Sequence, residues 1–210
     1  AIFIEGCEKK IIQIEEQENA VYGIGPGLGI EKETEKGLFK FLKNHQKPLV
    51  LDADALNIIS KDESYLKIIP KHSIITPHPK EFERLFGKTK NSFERLDLAK
   101  RKAKELEIII VLKDHYTQVV TSEGLAFYNV TGNSGLAKGG SGDILTGILT
   151  SLLAQQYPSL EAALLGVWLH GKAADVASEK YSREAMQPTD VINEIGNVFL
   201  GLNKKATTKL

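Results

Sequence analysis

The sequence from Thr131 to Leu153 reads Thr-Gly-Asn-Ser-Gly-Leu-Ala-Lys-Gly-Gly-Ser-Gly-Asp, followed by Ile-Leu-Thr-Gly-Ile-Leu-Thr-Ser-Leu-Leu. Five glycines fall in its first half, and apolar pairs then recur at helical spacing. This pattern predicts a glycine-rich loop that leads directly into a helix. Glycine allows the backbone to approach a ligand closely, and the free N–H groups at the start of a helix favour an anion. The stretch therefore predicts a cradle for phosphate.

Two charged side chains of this stretch each have two interpretations. Asp143 stands where the helix is predicted to begin, so it is either an N-cap or a base or metal-linked carboxylate beside a transferred phosphate. Lys138 is either a cation directed at phosphate or a solvated loop residue. The loop is neither a P-loop, because no Gly-Lys-Ser/Thr ends it, nor a dinucleotide fingerprint, because its glycine spacing differs. The residues predicted to line the phosphate are Lys138, Gly139, Gly140 and Ser141.

The composition is that of one globular domain spanning residues 1–210. The chain is 42% hydrophobic, and a chain of this length buries roughly 70% of its unfolded surface. Lys plus Arg equals Asp plus Glu, at 27 each, so neither nucleic acid nor a membrane is expected as a partner. The single cysteine, Cys7, excludes an internal disulfide and is either a reactive thiol or an inert core residue. The sequence lacks a membrane-length apolar run and a signal-peptide pattern, which favours a cytoplasmic location.

Buried strands alternate with helices along the chain, and a hairpin turning at Ser122–Gly124 precedes the glycine loop. This order predicts an α/β fold, with a mostly parallel sheet, helices on both faces and an appended β-hairpin. The predicted strands are 21–24, 49–51, 73–75, 108–112, 118–121 and 125–130, and the predicted helices are about 31–44, 55–69, 80 onward, 92–107, 144–153, 159–178 and 188–200. The buried face of helix 92–107 is predicted to comprise Phe93, Leu96, Ala99, Ala103 and Leu106.

Polar groups follow several strand ends, where parallel sheets place their ligand sites. Asp52 and Asp54 end one strand, and a period of two puts both on one side, where each either faces a ligand or caps the next helix. His78 is fixed between two prolines and is either structural or a binding residue. In helix 159–178, Trp168 is predicted to be a core residue. His170 either lines the site or is a satisfied structural histidine, the second being the preferred interpretation.

Five segments, in order, resemble the ADP- or ATP-dependent NAD(P)H-hydrate dehydratases, a family of the ribokinase-like superfamily. Four of them read Gly-Pro-Gly-Leu-Gly, Leu-Asp-Ala-Asp-Ala-Leu-Asn, Ile-Thr-Pro-His-Pro-Lys-Glu-Phe and Val-Leu-Lys, at 25–29, 51–57, 75–82 and 111–113. The fifth is the glycine loop with its helix, 131–150, and the resemblance covers about residues 21–200. It implies a ribokinase-like three-layer sandwich.

The resemblance also implies repair of damaged nicotinamide cofactor. The substrate would be NADH hydrate or NADPH hydrate in its S-form, whose hydroxyl is phosphorylated by ADP or ATP and then eliminated as phosphate. Mg²⁺ is the implied cofactor, with no ligands assigned, and a homo-oligomer, often a tetramer, is the implied assembly. By position, Gly27 and His78 would contact the hydrate, and Asp143 would contact it as the catalytic base. The adenine nucleotide site would comprise Lys113, Asp114, His115, Tyr116, Thr117 and Gly142.

The chain departs from the family pattern in three places. About 20 residues precede Gly25 where relatives carry a glycine- and alanine-rich strand-helix unit, and Asp114 and Ala174 replace frequent glycines. Two rival functions are a small-alcohol kinase of the same superfamily, similar to hydroxyethylthiazole kinase, and a nucleotide-binding regulator without turnover. The Thr76–Pro79 segment combined with the 135–143 loop favours the dehydratase.

Overall fold

Two strands near the start of the chain form a small sheet of their own. The computed structural model describes residues 4–7 and 10–207, with side chains described for residues 13–202. Strands β1 (Ile4–Cys7) and β2 (Lys10–Ile14) pair antiparallel. Cys7 lies in β1, but its side chain falls outside the described residues, so the character of its thiol stays a prediction.

Six short strands form the central sheet, and their spatial order is their order along the chain. The first four are parallel to one another, and the last two complete the sheet as an antiparallel hairpin. This arrangement confirms the predicted mostly parallel sheet with an appended hairpin. The strands are β3 (Gly23–Ile24), β4 (Val50–Leu51), β5 (Ile74–Ile75), β6 (Ile109–Leu112), β7 (Gln118–Val120) and β8 (Ala126–Tyr128).

Helices cover both faces of this sheet. Because side chains alternate along a strand, Leu51 packs into a first hydrophobic cluster on one face and Val50 into a second cluster on the other. The first face carries α1 (Lys32–Asn44), α2 (Ala53–Ile59), α3 (Glu63–Leu66), α4 (Pro79–Phe86) and α5 (Ser92–Leu106). The second face carries α6 (Ser141–Ala154), α7 (Ser159–Ala185) and α8 (Pro188–Thr207).

The structure corrects the predicted helices in detail. The helix predicted to reach Ile69 is divided into α2 and α3, because Asp62 accepts a hydrogen bond from the Ser64 amide at 2.8 Å and starts a new helix. Phe93 is not in the buried face of α5, since it lies in the first turn and is 78% exposed. Helix α7 runs past its predicted end to Ala185, with non-helical backbone at Ser182.

Trp168, predicted to be a core residue, is half-buried and packs against the second hydrophobic cluster. Among the residues that the structure describes, no helix combines the length and apolar character needed to span a bilayer.

Candidate active site

Helix α6 begins on the glycine loop, two residues before the predicted carboxylate. Gly140 is the N-cap in the left-handed region, with φ of 93°, and no side chain caps the helix. Asp143 is therefore the third residue of the helix, and the interpretation of Asp143 as the N-cap is wrong. Its exposed carboxylate makes no hydrogen bond or ion pair with any other residue in the described part of the chain. It is free to meet a ligand.

The glycine loop is held against one side of α7. The Thr131 hydroxyl donates to the Trp168 carbonyl at 3.0 Å, and the Gly132 amide donates to Asp175 Oδ2 at 3.1 Å. Asn133 Nδ2 donates to the other oxygen of the same carboxylate, Asp175 Oδ1, at 3.2 Å. These bonds fix the loop before it reaches α6.

Gly171 makes this close contact between loop and helix possible. A Cβ built at Gly171 would lie only 2.7 Å from the carbonyl oxygen of Thr131. Any larger residue would push the loop away from α7. The His170-Gly171 pair in the sequence is thus the point at which α7 receives the loop.

Lys138 takes neither of its predicted roles. Its ammonium donates to the carbonyl oxygens of Met186 at 2.6 Å, Glu184 at 2.7 Å and Arg183 at 3.4 Å. A cation is favourable at the C-terminal end of a helix, where the last carbonyl groups lack partners. Lys138 therefore fastens the loop to the end of α7, and its assignment to the phosphate is corrected.

Asp52 faces the start of α6. It stands at the N-cap position of α2, yet its side chain makes no cap bond. Instead Oδ1 accepts from Lys113 Nζ at 2.6 Å, and Oδ2 accepts from the Thr146 hydroxyl of α6 at 3.1 Å. Its exposed fraction is only 1%, so the charge is buried and paired. The capping interpretation of Asp52 is wrong, and the ligand-facing one fits its position.

Asp54 does not share the side of Asp52, contrary to the prediction from strand alternation. The strand ends at Leu51, and Ala53, with φ of 47°, turns the backbone into α2. Asp54 Oδ2 accepts instead from the Gly29 amide at 3.0 Å, which orders the 25–29 glycine turn. In that turn Gly27 has φ of 67° and open space where a Cβ would stand, so its contact with the hydrate stays a prediction.

Lys113 brings three elements of the site together. From the end of β6 its ammonium pairs with Asp52 and lies 3.9 Å from Glu81 Oε2. A Cβ at Gly142 would lie 3.4 Å from Asp52 Oδ2 and 3.5 Å from Lys113 Nζ. The free amide end of α6 and this cation thus face the same small volume, which suits a bound anion.

The residues after Lys113 form an exposed loop. Asp114 pairs with Arg95 of α5, so the added negative charge is neutralised. The rings of His115 and Tyr116 meet edge to face, with centroids 4.5 Å apart, and Tyr116 is exposed. Arg95 was not identified from the sequence, since nothing in its helix points to a partner 19 residues away. The nucleotide contacts assigned to Lys113–Thr117 stay predictions.

His78 has the structural role that was one of its two interpretations, and its contact with the hydrate stays a prediction. As the N-cap of α4 its Nδ1 accepts from the amides of Lys80 at 3.1 Å and Glu81 at 3.4 Å, while Glu81 Oε2 accepts from the His78 amide at 2.8 Å. Burial lowers the pKa of His78, with Glu81 opposing and Lys113 reinforcing the shift. Its side chain is still 44% exposed. The Glu three residues on was the sequence signal for this capping box, and it was missed.

Two variants of His78 are expected to separate cap from ligand contact. His78→Asn keeps an N-cap acceptor and should melt like the wild type, whereas His78→Ala should lose about 1 kcal/mol of stability. Both should raise the KM for the hydrate about tenfold while leaving ADP affinity nearly unchanged. Thermal melts, hydrate kinetics and calorimetric ADP titration measure the three effects. Weakened ADP binding with a normal hydrate KM would reverse the assignment.

His170 is buried but not satisfied. The residue is 8% exposed, and its Nε2 has no hydrogen-bond partner. Burial lowers its pKa to about 4, the Ser141 backbone opposes the shift, and the charge of Lys113 adds to it. The expectation of a satisfied structural histidine is therefore wrong, and the ring lies beside the first residue of α6.

The stability of the protein should decrease as the pH falls from about 6.5 towards 4. In this window the unfolded chain protonates His170 while the folded chain keeps it neutral, so protons favour unfolding. At pH 5 the loss relative to pH 7.5 should be about 2 kcal/mol. Urea unfolding of the wild type and of His170→Gln at both pH values tests this, because the variant lacks the group. Equal pH dependence in the two proteins would contradict the assignment.

Comparison with known proteins supplies the family. The model of the NAD(P)H-hydrate dehydratase family matches residues 4–197. The chain belongs to this family. An ADP-dependent (S)-NAD(P)H-hydrate dehydratase of Neisseria meningitidis serogroup B is 44% identical over 161 residues, which cover 74% of the chain and 54% of the relative. A bifunctional NAD(P)H-hydrate repair enzyme of Moorella thermoacetica is 37% identical over 190 residues, 90% of the chain and 36% of the relative.

Solved structures of similar proteins share the fold. The ADP/ATP-dependent NAD(P)H-hydrate dehydratase of Bacillus subtilis, co-crystallised with ATP/Mg²⁺, superposes with a TM-score of 0.74 at 31% identity, covering 89% of the chain and 66% of that structure. A ribokinase-like superfamily protein of Enterococcus faecalis gives a TM-score of 0.71 at 30% identity, covering 83% of the chain and 61% of that structure. These likenesses confirm the ribokinase-like α/β fold. The chain spans between a third and just over half of the length of the first curated family members it matches.

Proposed function

We propose that this chain dehydrates the S-form of hydrated NADH or NADPH, driven by phosphoryl transfer from ADP or ATP. The observation that carries the proposal is the start of α6. There the unpaired Asp143 carboxylate follows Gly142, and Gly142 lies beside Lys113 and Asp52. Membership of the family and the names of its relatives support the same reaction. The position of Gly27 and the exposed side chain of His78 are consistent with hydrate contacts.

The residues present suit transfer of a phosphoryl group to a hydroxyl. The α6 amides and Lys113 would hold the terminal phosphate, since phosphoryl transfer depends on positioning and charge stabilisation. Asp143 would accept the proton of the hydrate hydroxyl as its oxygen bonds to phosphorus and the bond to the bridging nucleotide oxygen breaks. The C–O bond of the new phosphate ester then breaks, phosphate leaves with the electron pair of that bond, and the adjacent carbon loses a proton to water so that its C–H electrons form the double bond.

The residues also fit Mg²⁺. Asp52 and Glu81 are buried carboxylates that both approach Lys113, at 2.6 and 3.9 Å. Within the described ranges no three His, Cys, Asp or Glu side chains form a metal cluster. Mg²⁺ commonly uses one or two carboxylates together with substrate phosphates, so this pair would suffice. When bound, the ion would neutralise phosphate charge.

The test is to incubate the protein with hydrated NADH, Mg²⁺ and either ADP or ATP, and to follow the near-ultraviolet absorbance of the reduced nicotinamide. Recovery of absorbance that requires both nucleotide and the S-form supports the proposal. The R-form and a reaction without nucleotide are the controls. Phosphorylated hydrate without elimination would indicate a kinase, and nucleotide binding without turnover would indicate a regulator. Running the assay with NADPH hydrate and with each nucleotide also identifies the preferred substrates.

We also propose a homo-oligomer, with the tetramer as the first candidate, and a cytoplasmic location. Large apolar side chains are exposed along the outer strand β8 and just beyond it, at Phe127, Tyr128 and Val130. An exposed edge strand with apolar residues is a common site of association. Light scattering coupled to gel filtration measures the subunit number.

A further inference from the structure

The His170 ring leaves a buried nitrogen without a partner beside the phosphate-binding end of α6. Nε2 is fully buried and unbonded, and the Ser141 backbone lies against the ring. Buried polar groups in native structures nearly always have partners, so an unpaired one calls for an explanation such as a ligand or a catalytic role. His170 is fixed in place because the neighbouring Trp168 and Gly171 receive the glycine loop.

Ser141 presents a second polar group without a partner at the same place. Its side chain is buried, and its hydroxyl makes no hydrogen bond to another residue within the described side chains. Ser141 is the first residue of α6, so its hydroxyl stands beside the free amides that favour an anion. Two unpaired polar groups, one on each of two packed helices, thus lie at the end of α6 where the phosphate is expected.

We propose that His170 is a positioning residue for the phosphoryl group bound at the start of α6, acting through the hydroxyl of Ser141. With the anion present, the hydroxyl donates its proton in a hydrogen bond to a phosphoryl oxygen. The neutral ring donates from Nε2–H to the Ser141 oxygen and so sets the direction of that hydroxyl. Nε2 is too deeply buried to touch the ligand itself, so its effect must pass through Ser141, whose backbone lies against the ring. This inference rests on the proposed function for the identity of the anion, a nucleotide phosphate.

The test compares the affinities of ADP and AMP by calorimetric titration. AMP fills the nucleotide site without the terminal phosphate, so the ratio of the two affinities reports the anion site alone. His170→Leu and Ser141→Ala should each weaken ADP binding about tenfold and leave AMP binding nearly unchanged, the usual worth of one hydrogen bond to a charged group. The double variant should also lose about tenfold in ADP affinity. Both changes break the same relay, which is the chain of hydrogen bonds from His170 through Ser141 to the phosphate. His170→Gln, which keeps a donor near the position of Nε2, should stay within about threefold of the wild type.

Stability provides the second readout. Because the unpaired Nε2 is costly to bury, His170→Leu should melt at the wild-type temperature or above it, whereas a purely structural histidine would lower the melting temperature when replaced. Additive losses near a hundredfold in the double variant, or no rescue by Gln, would overturn the relay. If His170→Leu does not fold, Ser141→Ala and His170→Gln still decide, since the first must lose ADP affinity selectively and the second must keep it.

The failure of this inference is separable from that of the proposed function. The nucleotide titrations require no hydrate, so an inactive wild type with the expected ADP and AMP pattern would count against the dehydratase alone. Normal hydrate turnover with unchanged ADP affinity in every variant would count against the relay alone. Under the dehydratase assay, His170→Leu should lower kcat and leave the KM for the hydrate unchanged.

Discussion

Asp143→Asn is expected to lower the single-turnover rate of hydrate dehydration by roughly 10² to 10⁴-fold, the usual contribution of a positioned base. Asparagine has nearly the same shape but cannot accept the proton of the attacking hydroxyl. The melting temperature and the ADP affinity should change little, because Asp143 is exposed and bonds to no other described residue. Melting temperature, ADP affinity and single-turnover rate on one preparation measure these effects together.

Glu161→Gln is the matched control for Asp143→Asn. Glu161 is also an exposed acid at the third position of a helix, α7, but at the opposite end of that helix from the bonds to Lys138. Both substitutions remove one negative charge near a helix N-terminus, so both should cost only a few tenths of a kcal/mol of stability. Only the first should affect turnover. Near-wild-type turnover in Asp143→Asn would falsify the proposed mechanism.

Gly142→Val is expected to weaken ADP binding about a hundredfold, equivalent to the loss of two hydrogen bonds to a charged phosphate. Backbone strain is not the cause, because the left-handed glycine at the start of α6 is Gly140 and not Gly142. The structural reason is contact instead. A Cβ at Gly142 already lies 3.4 Å from Asp52 Oδ2 and 3.5 Å from Lys113 Nζ, so branched methyl groups would fill the anion volume. Calorimetric titration with ADP measures the effect.

Gly147→Val controls for the cost of a branched residue in the same helix. Gly147 lies in the middle of α6, and a Cβ there meets no atom within 4 Å. Valine should therefore be tolerated at Gly147, with ADP affinity as in the wild type. If both variants, folded, bind ADP normally, the phosphates lie elsewhere.

The sequence predicted the sheet, its hairpin and both helical layers because these follow from local patterns. Strands such as Ile109–Leu112 are apolar throughout, as expected for strands buried on both faces. The glycine loop followed by apolar pairs at helical spacing predicted the start of α6. The alternation of strands and helices also predicted which strand ends carry ligand-facing groups. Asp52 and Lys113 do lie together, as expected for the carboxyl ends of parallel strands in one sheet, and Gly142 of α6 lies beside both.

The roles that the sequence misassigned depend on contacts between distant segments. Lys138 reaches carbonyl groups more than 40 residues away, and Asp114 is neutralised by Arg95 on another helix. No spacing rule exposes such partners. His170 was misjudged for the opposite reason, since only a three-dimensional inventory of donors and acceptors reveals that a buried nitrogen has none.

Helix α7 holds the glycine loop at both of its ends. Thr131 binds the carbonyl of Trp168, and Lys138 binds carbonyl groups at Arg183, Glu184 and Met186, which follow the non-helical residue Ser182. The two ends of the loop are therefore attached to α7 on opposite sides of its break in helical geometry. A substitution that changes the bend of α7 at Ser182 would shift one end of the loop relative to the other, and would move the start of α6 relative to the Asp52–Lys113 pair although it touches none of these residues.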